Sequence, residues 1–303
     1  MRIAMTGSTG LIGSRLVRHL TQSGCKVTRI VRGPTPEGVN TRVLRWQPDC
    51  GWIDRDRLEG HDVIIHLAGE NIAAGRWTNR RKQRILYSRR EGTRLLCEAL
   101  AGLKHPPQTL LSASAVGYYG NKASGQTVTE ADSAGEGFLA QVSREWEQST
   151  LPAQEAGIRV VQLRFGMVLS REGGALAAML PVFRLGIGGR LGRGDQMMSW
   201  IALDEIPSAV DFILKEEHLS GPINMVAPHC VTNREFTRAL GRVLRRPTLF
   251  ALPAPVARLA LGEMAESLLL KGCPVVPQRL TDAGYRFRWP DLEAALRHQL
   301  KAE

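Results

Sequence analysis

Short apolar runs alternate with amphipathic stretches through the first 165 residues of the chain. Five runs rich in apolar residues predict strands at residues 2–5, 27–31, 63–67, 109–113 and 159–165. Between them, apolar residues recur at helical spacing and predict helices at residues 11–23, about 78–101 and 139–156. Strands and helices that alternate in this way form a parallel sheet with helices on both faces. The pattern therefore predicts an α/β fold with a doubly wound parallel sheet.

A glycine-spaced loop joins the first predicted strand to the first predicted helix. Gly7 permits a tight turn, Gly10 lets the backbone approach a pyrophosphate, and Gly13 lets the helix pack closely on the strand. The start of the helix adds free N–H groups and a positive dipole end. The loop predicts a Rossmann-type dinucleotide site; the alternative is a glycine-rich turn without a function. The residues expected to hold the cofactor are Gly7, Ser8, Thr9, Gly10, Leu11, Ile12 and Gly13.

The residue after the second predicted strand indicates which dinucleotide is bound. NAD enzymes usually carry an acid there, whereas NADP enzymes tend to carry an arginine that pairs with the 2′-phosphate. This chain has Arg32 at that point and no acid before Glu37. Ser8 is a second donor for the phosphate. The sequence predicts NADP as the cofactor; the alternative is that Arg32 is a solvated loop residue.

A second arginine lies inside the apolar stripe of the long predicted helix. Ile85, Gly92, Leu96 and Ala99 share one face of this helix at helical spacing, and Arg89 falls among them. A buried guanidinium without a partner is costly, so Arg89 needs an anion or carbonyl groups beside it. Arg89 is therefore a second candidate for cofactor binding. The alternatives are an internal salt bridge or carbonyls at a strand end.

The regular alternation ends near residue 170. From there to residue 303 the chain is rich in glycine and proline and has no clear strand–helix repeat. We expect a Rossmann domain over residues 1–170, to which some later segments return. A smaller substrate-side region is expected over residues 171–303.

Charge adds one question to this interpretation. The 303 residues contain 40 Lys and Arg against 29 Asp and Glu, a net charge of +11. Such an excess suits a nucleic acid, a membrane surface or an anionic small molecule. The basic residues are dispersed and form no nucleic-acid module, and the positions of Arg32 and Arg89 favour a small anionic ligand. The basic run from Arg80 to Arg84 is expected to be a solvated face.

The apolar runs and the cysteines indicate the compartment and exclude membrane-spanning and metal-binding classes of protein. No apolar run approaches the roughly 20 residues of a membrane span, and a signal peptide before the glycine loop is not expected. The five cysteines lack a CxxC pair. They are interpreted as reduced thiols in a cytoplasmic protein, not as a metal site.

Ordered motifs along the chain resemble a known family. Residues 6–13, the run from Asp62 to Gly69 and Gly92-Thr93-x-Leu95-Leu96 are similar to the extended short-chain dehydrogenase/reductases. More narrowly, the chain resembles the "epimerase family protein" branch, which is related to NAD(P)-dependent sugar-nucleotide epimerases and has a small C-terminal domain. The branch markers include Gly69-Glu70-Asn71-Ile72, Ser88-Arg89, Gly117-Tyr118-Tyr119-Gly120, Trp146-Glu147, Leu163-Arg164-x-Gly166 and Ser199-Trp200-Ile201.

The resemblance implies an oxidoreductase or epimerase that acts on a small substrate, such as one linked to a nucleotide. It implies that Leu67, Ala68 and Gly69 lie along the cofactor and that Val168 approaches the nicotinamide. The glycine-rich loop over residues 186–196 is a further candidate for the substrate site, where Arg190 and Arg193 would hold an anionic group; the alternative is a flexible lid or an exposed surface loop. The expected partners are this substrate and a second copy of the chain; a membrane is not among them.

The catalytic set of the wider class is incomplete in this chain. That class uses a Tyr as acid/base and a Lys that lowers its pKa, four residues apart on a helix. Counted back from Trp146, these positions hold Leu139 and Ser143. The residues left as catalytic candidates are Ser114, Tyr118, Tyr119 and Glu70.

Two points about these candidates stay open. For the tyrosines the alternative is aromatic packing, and His66 beside them is interpreted as a core histidine. Because the Tyr/Lys pair is missing, a non-catalytic NADP-binding sensor or scaffold is the second hypothesis, and a nucleic-acid binder is a distant third.

Overall fold

An eight-stranded sheet forms the centre of the computed structural model, which describes residues 1–33, 42–122 and 126–301. In this described part of the chain, the strand order is β11-β7-β6-β5-β1-β2-β3-β4. Seven of these strands are parallel, and β4 pairs antiparallel with β3 at the edge. Their bounds are β1 Arg2–Thr6, β2 Lys26–Val31, β3 Arg42–Gln47, β4 Trp52–Ile53, β5 Val63–His66, β6 Thr109–Ala115, β7 Arg159–Phe165 and β11 Gly221–Met225.

Helices cover both faces of the sheet because successive strand residues point to opposite sides. In β1, Ile3 packs into one core with α1 and α6, whereas Ala4 packs into another with α2 and α4. The helix bounds are α1 Leu11–Gln22, α2 Asn79–Ala101, α3 Phe138–Gln148, α4 Leu151–Glu155, α5 Gly174–Arg184 and α6 Ile206–Lys215. The predicted α/β fold with a doubly wound parallel sheet is confirmed.

Two features differ from the pattern predicted from the sequence. The helix expected over residues 139–156 is two helices, α3 and α4. Ser149 and Thr150 interrupt it with hydroxyls bonded to the carbonyls of Glu145 and Glu147, and Pro152 lies in the first turn of α4. Strand β3, next to the edge strand β4, was not predicted, because only Leu44 and Trp46 in it are buried and polar residues flank them.

The chain beyond residue 170 partly rejoins the sheet and partly builds a separate core. Strand β11 pairs with β7, and α6 packs beside α1. Two further two-stranded sheets pair β8 with β10 and β9 with β12. The boundary at residue 170 stays a prediction. The remaining bounds are β8 Met167–Leu169, β9 Met197–Met198, β10 Trp200–Ala202, β12 Val231–Thr232, α7 Asn233–Leu244, α8 Ala254–Leu261, α9 Glu263–Leu268, α10 Gln278–Asp282 and α11 Leu292–Leu300.

The length and apolar character of the described helices bear on whether the chain enters a membrane. Within residues 1–33, 42–122 and 126–301, none is both long and apolar enough to span a membrane.

Candidate functional site

The glycine loop between β1 and α1 is shaped by close backbone contacts. Gly7 has φ +65°, and a Cβ there would lie 2.7 Å from the carbonyl carbon of Leu67. A Cβ on Gly13 would lie 2.1 Å from the carbonyl oxygen of Gly7. Gly10 is the N-cap residue of α1, and the first turn of that helix carries no acid. The loop therefore presents the positive end of α1 at the carboxyl edge of the sheet.

Ser8 contributes a hydroxyl to this loop that the described residues do not use. Its side chain is 2 % exposed, and its Oγ has no hydrogen-bond partner among them. Buried hydroxyls are nearly always paired, because leaving one unpaired costs about 1–3 kcal/mol. The unpaired hydroxyl beside a helix N-terminus fits a site that holds an anionic group.

A chain of hydrogen bonds fixes the strand ends beneath the loop. The Thr6 hydroxyl accepts the N–H groups of Leu67 and Ala68 at 3.1 and 3.2 Å. With both lone pairs taken, it donates to Nδ1 of His66 at 2.7 Å, and His66 Nε2 donates to Thr93 at 2.9 Å. Burial lowers the pKa of His66 to about 4, so the ring is neutral. His66 is thus the core histidine that the sequence predicts.

Arg89 lies at the end of β5, against Gly69. A Cβ on Gly69 would lie 3.3 Å from the guanidinium carbon, and the guanidinium stacks over Trp146 at 4.8 Å. Its Nη1 donates to the carbonyls of Glu70 and Ile85 at 3.1 and 3.2 Å. The Glu70 carbonyl, in the segment after β5, corresponds to the strand-end alternative that the sequence left open, whereas the Ile85 carbonyl belongs to the same helix as Arg89. They orient the cation without neutralising it; burial lowers its pKa to about 10, which leaves it charged at pH 7.

The remaining predicted cofactor residues fall into two groups. Leu11, Ile12, Leu67 and Val168 pack against one apolar cluster. Arg32 follows β2 and is exposed, and no described residue pairs with its guanidinium. Glu37, the acid that follows it in the sequence, lies outside the described residues.

The catalytic candidates Ser114 and Tyr119 belong to a buried ionic network. Glu147 and Arg164 form a two-point ion pair, with Nε–Oε1 and Nη2–Oε2 distances of 2.8 Å. Ser114 donates to the same carboxylate at 2.6 Å. The Tyr119 hydroxyl accepts from Arg164 at 2.8 Å and donates to Asn224 at 2.7 Å. Tyr119 is fully buried, and burial raises the pKa of its phenol to about 12.

The other two candidates differ in how far their polar groups are engaged. Glu70 accepts from Arg84 at 2.9 Å, so its carboxylate is already paired. Tyr118 is half-buried, with its ring 3.6 Å from the guanidinium carbon of Arg164. Within the described part of the chain, the Tyr118 hydroxyl has no hydrogen-bond partner. Of the four candidates, Tyr118 therefore has the phenol or carboxylate that remains available.

The positions where the wider class has Tyr and Lys are apolar or buried. Leu139 packs with Phe138 and Trp77 in an apolar cluster, and a Cβ on Gly117 would lie 3.2 Å from the Leu139 Cβ. Ser143 is 3 % exposed. Neither side chain offers an acid/base group to a ligand.

The Glu147–Arg164 pair was not predicted as a feature of the site. Both residues were noted as family markers. A signal for the pair was present, because Arg164 lies in a strand predicted to belong to the sheet, and a buried guanidinium needs an anion or carbonyl groups beside it.

The glycine-rich loop after α5 is held by the C-terminal region. Leu191 pairs with Leu252 in an isolated β-bridge, and Gln196 donates to the Leu269 carbonyl at 2.7 Å. The loop also carries Arg190, whose Nη1 donates to the Arg193 carbonyl at 2.9 Å. Arg193 pairs with an acid two residues along and stays largely exposed.

Comparison with known proteins places this geometry in a family. The pattern of the NAD dependent epimerase/dehydratase family matches residues 3–226, and that of a domain of unknown function, DUF1731, matches residues 252–299. The chain belongs to the NAD dependent epimerase/dehydratase family. An epimerase family protein of Mycobacterium bovis is 44% identical over 97% of this chain and 96% of its own length. The predicted family resemblance is confirmed.

Two solved structures extend the comparison. Human epimerase family protein SDR39U1, solved with NADPH, is 32% identical, with a TM-score of 0.89 and full coverage of both chains. A nucleoside-diphosphate sugar epimerase from Corynebacterium glutamicum is 35% identical, with a TM-score of 0.79. It covers 99% of this chain and 58% of its own.

Proposed function

We propose that the protein binds NADP(H) at the carboxyl edge of the sheet and is an NADP-dependent oxidoreductase or epimerase. Its substrate is proposed to be a small anionic molecule, such as one linked to a nucleotide. The observation that carries the proposal is the unpaired, buried Ser8 hydroxyl in a loop whose backbone leaves no room for side chains at Gly7 and Gly13. Together with the start of α1, this loop forms a cradle for a pyrophosphate.

Two cations support NADP over NAD. Arg32 is exposed at the end of β2, and no described carboxylate neutralises it, so it is available to pair with a 2′-phosphate. Arg89 is a charged, carbonyl-oriented guanidinium at the end of β5, which lies on the other side of β1 from β2. The similarity to human SDR39U1, whose structure contains NADPH, agrees with this choice.

The nicotinamide supplies a hydride donor or acceptor when it is bound. The residues proposed to contact the cofactor are those of the loop, Leu67, Ala68, Gly69 and Val168. Tyr118 is proposed to hold or release the substrate proton through its phenol, since its hydroxyl is not engaged by the described residues. Ser114, Tyr119 and Glu147 support it by fixing Arg164 under the Tyr118 ring.

The experiment that tests this function compares Tyr118→Phe with Tyr119→Phe. NADPH oxidation or isotope exchange at C4 is followed over a panel of carbonyl compounds and nucleotide-linked sugars. We expect Tyr118→Phe to lower turnover by about a hundredfold or more with unchanged NADPH affinity, as loss of an acid/base group does. Tyr119→Phe should mainly lower stability. Equal turnover in wild type and Tyr118→Phe would exclude the phenol.

A second candidate function is a non-catalytic NADP(H)-responsive protein. The specific observation is that the Tyr and Lys positions hold Leu139 and Ser143, both packed or buried. In this case the protein binds NADP(H) tightly but shows no turnover on any substrate of the panel. A difference in partner affinity between its oxidised and reduced complexes would then favour the sensor over the enzyme.

A further inference from the structure

A second groove, of about 810 Å³, lies between α1, the segment after β8 and α11. None of the residues predicted to hold the cofactor lines it. Its walls carry five cationic side chains and two carboxylates. The cations are Arg15, Arg18, Arg171, Arg297 and Lys301, and the acids are Asp204 and Glu172.

Ion pairs already neutralise part of this charge. Asp204 accepts from Arg15 at 2.5 Å and from His298 at 2.6 Å, so it is fully engaged. Arg297 pairs with an acid one turn away on α11. The side chains of Arg18 and Arg171 have no ion pair or hydrogen bond with any residue that the structure describes. The groove therefore has an excess of unpaired positive charge.

The inner part of the groove adds neutral donors and an aromatic wall. Gln299 lines it and is 7 % exposed, and no described group accepts a hydrogen bond from its Nε2. Ser170 also lines it and is fully buried. Trp289 stacks on His298 with ring centroids 4.0 Å apart. An unpaired buried amide beside free guanidiniums is an arrangement that awaits an acceptor.

We propose that this groove binds a small phosphate-bearing molecule, at a site separate from the cofactor. Guanidinium groups bind phosphate oxygens through two parallel hydrogen bonds, and the volume falls within the range of small-molecule sites, roughly 300–1,000 Å³. A nucleic acid would need a basic track that continues past the groove. Instead, His19 in the adjoining part is paired with Asp211 at 2.6 Å, and Glu172 lies in the groove itself.

The experiment titrates inorganic pyrophosphate into the full chain by calorimetry. The test variant carries both Arg18→Ala and Arg171→Ala. Both arginine side chains are exposed and have no partner among the described residues, so their removal should leave stability nearly unchanged. The matched control removes two other exposed arginines, Arg80→Ala and Arg144→Ala. Thermal unfolding of each variant verifies that it is folded.

We expect the groove variant to bind pyrophosphate at least tenfold more weakly than wild type, and the control about as tightly. An unchanged affinity in the groove variant would mean that pyrophosphate binds elsewhere, such as the loop before α1, and would overturn the proposal. No binding by wild type, or equal loss in both variants, would also overturn it. If wild type binds a short DNA duplex more tightly than pyrophosphate, and the groove variant loses that binding, the ligand of the groove is a nucleic acid and the proposal is overturned.

Discussion

At the scale of single residues, the cofactor preference depends on Arg32. The side chain follows β2, is exposed, and lacks a described carboxylate partner. If it pairs with a 2′-phosphate, Arg32→Ala removes a charge-assisted contact made by NADPH and not by NADH. We expect the Kd for NADPH to rise by about tenfold or more and the Kd for NADH to stay unchanged.

Cofactor titration by fluorescence measures both constants. Arg144→Ala is a suitable control, because it removes an exposed arginine from α3, away from β2. A parallel weakening of NADPH and NADH would show that Arg32 acts on the overall field and does not select between the two cofactors.

Single residues also show where sequence reasoning succeeds. Gly7 and Gly13 were predicted because their spacing next to a strand and a helix has a steric cause. A Cβ at either position would lie only 2.7 or 2.1 Å from backbone atoms, which leaves room for glycine alone. The environment of Tyr119 was not predictable in the same way. Its partners Arg164 and Asn224 come from strands 45 and 105 residues away in the chain, and no local pattern encodes such a meeting.

At the scale of elements, the Glu147–Arg164 pair joins α3 to β7. Arg164 is 3 % exposed and Glu147 12 %, so both charges are largely out of water. Glu147→Gln leaves the guanidinium buried without a counter-charge. We expect the free energy of unfolding to fall by about 3–5 kcal/mol, as when one partner of a buried pair is removed.

Chemical denaturation measures this loss. Glu145→Gln is the matched control, two residues earlier on α3, where the carboxylate pairs at the surface with Arg90. That change should cost less than about 1 kcal/mol. Similar losses in both variants would show that the buried pair contributes no more than the surface pair.

The hydrogen-bonded chain through His66 predicts how stability depends on pH. Its pKa is about 4 in the folded protein, against about 6.5 in an unfolded chain. Between these values the unfolded state binds more protons, so stability is full above pH 6.5 and falls as the pH drops toward 4. The loss approaches about 3 kcal/mol. His66→Gln should therefore lose less stability between pH 7 and pH 5 than wild type.

Urea unfolding at several pH values measures this slope. His105→Gln, at an exposed position, should retain the wild-type slope. A His66→Gln variant with the same slope as wild type would show that this imidazole is not responsible for the pH dependence.

Elements with one clear periodicity were predicted to within about two residues, as β7 and α1 illustrate. Most elements at a sheet edge or beyond residue 170 were not, although the helix expected over residues 205–214 corresponds to α6. Strand β11 lies 56 residues after the end of β7, yet it pairs with it. Such a return depends on long-range packing, so the sequence pattern indicates only that some later segments rejoin the sheet.

At the scale of the whole molecule, the C-terminal region makes contacts with α6, β8 and β10 that should make unfolding cooperative. Glu205 accepts from the Tyr285 hydroxyl at 2.5 Å and from the Trp289 N–H at 2.8 Å. On α11, Leu296 is fully buried in one cluster with Leu169 and Trp200, which lie on β8 and β10. The C-terminal region therefore completes an apolar core to which β8 and β10 also contribute.

This continuity predicts one unfolding transition for the whole chain. Leu296→Ala should lower the free energy of unfolding by about 2–5 kcal/mol, whereas Leu259→Ala, at a position 80 % exposed, should change it little. NADPH at about a hundredfold excess over its Kd should stabilise both wild type and Leu296→Ala by about 2.7 kcal/mol. Calorimetry resolves the transitions. A ligand stabilises only the cooperative unit that binds it. A second transition whose midpoint NADPH does not change, and which Leu296→Ala lowers, would therefore show that the C-terminal region unfolds by itself.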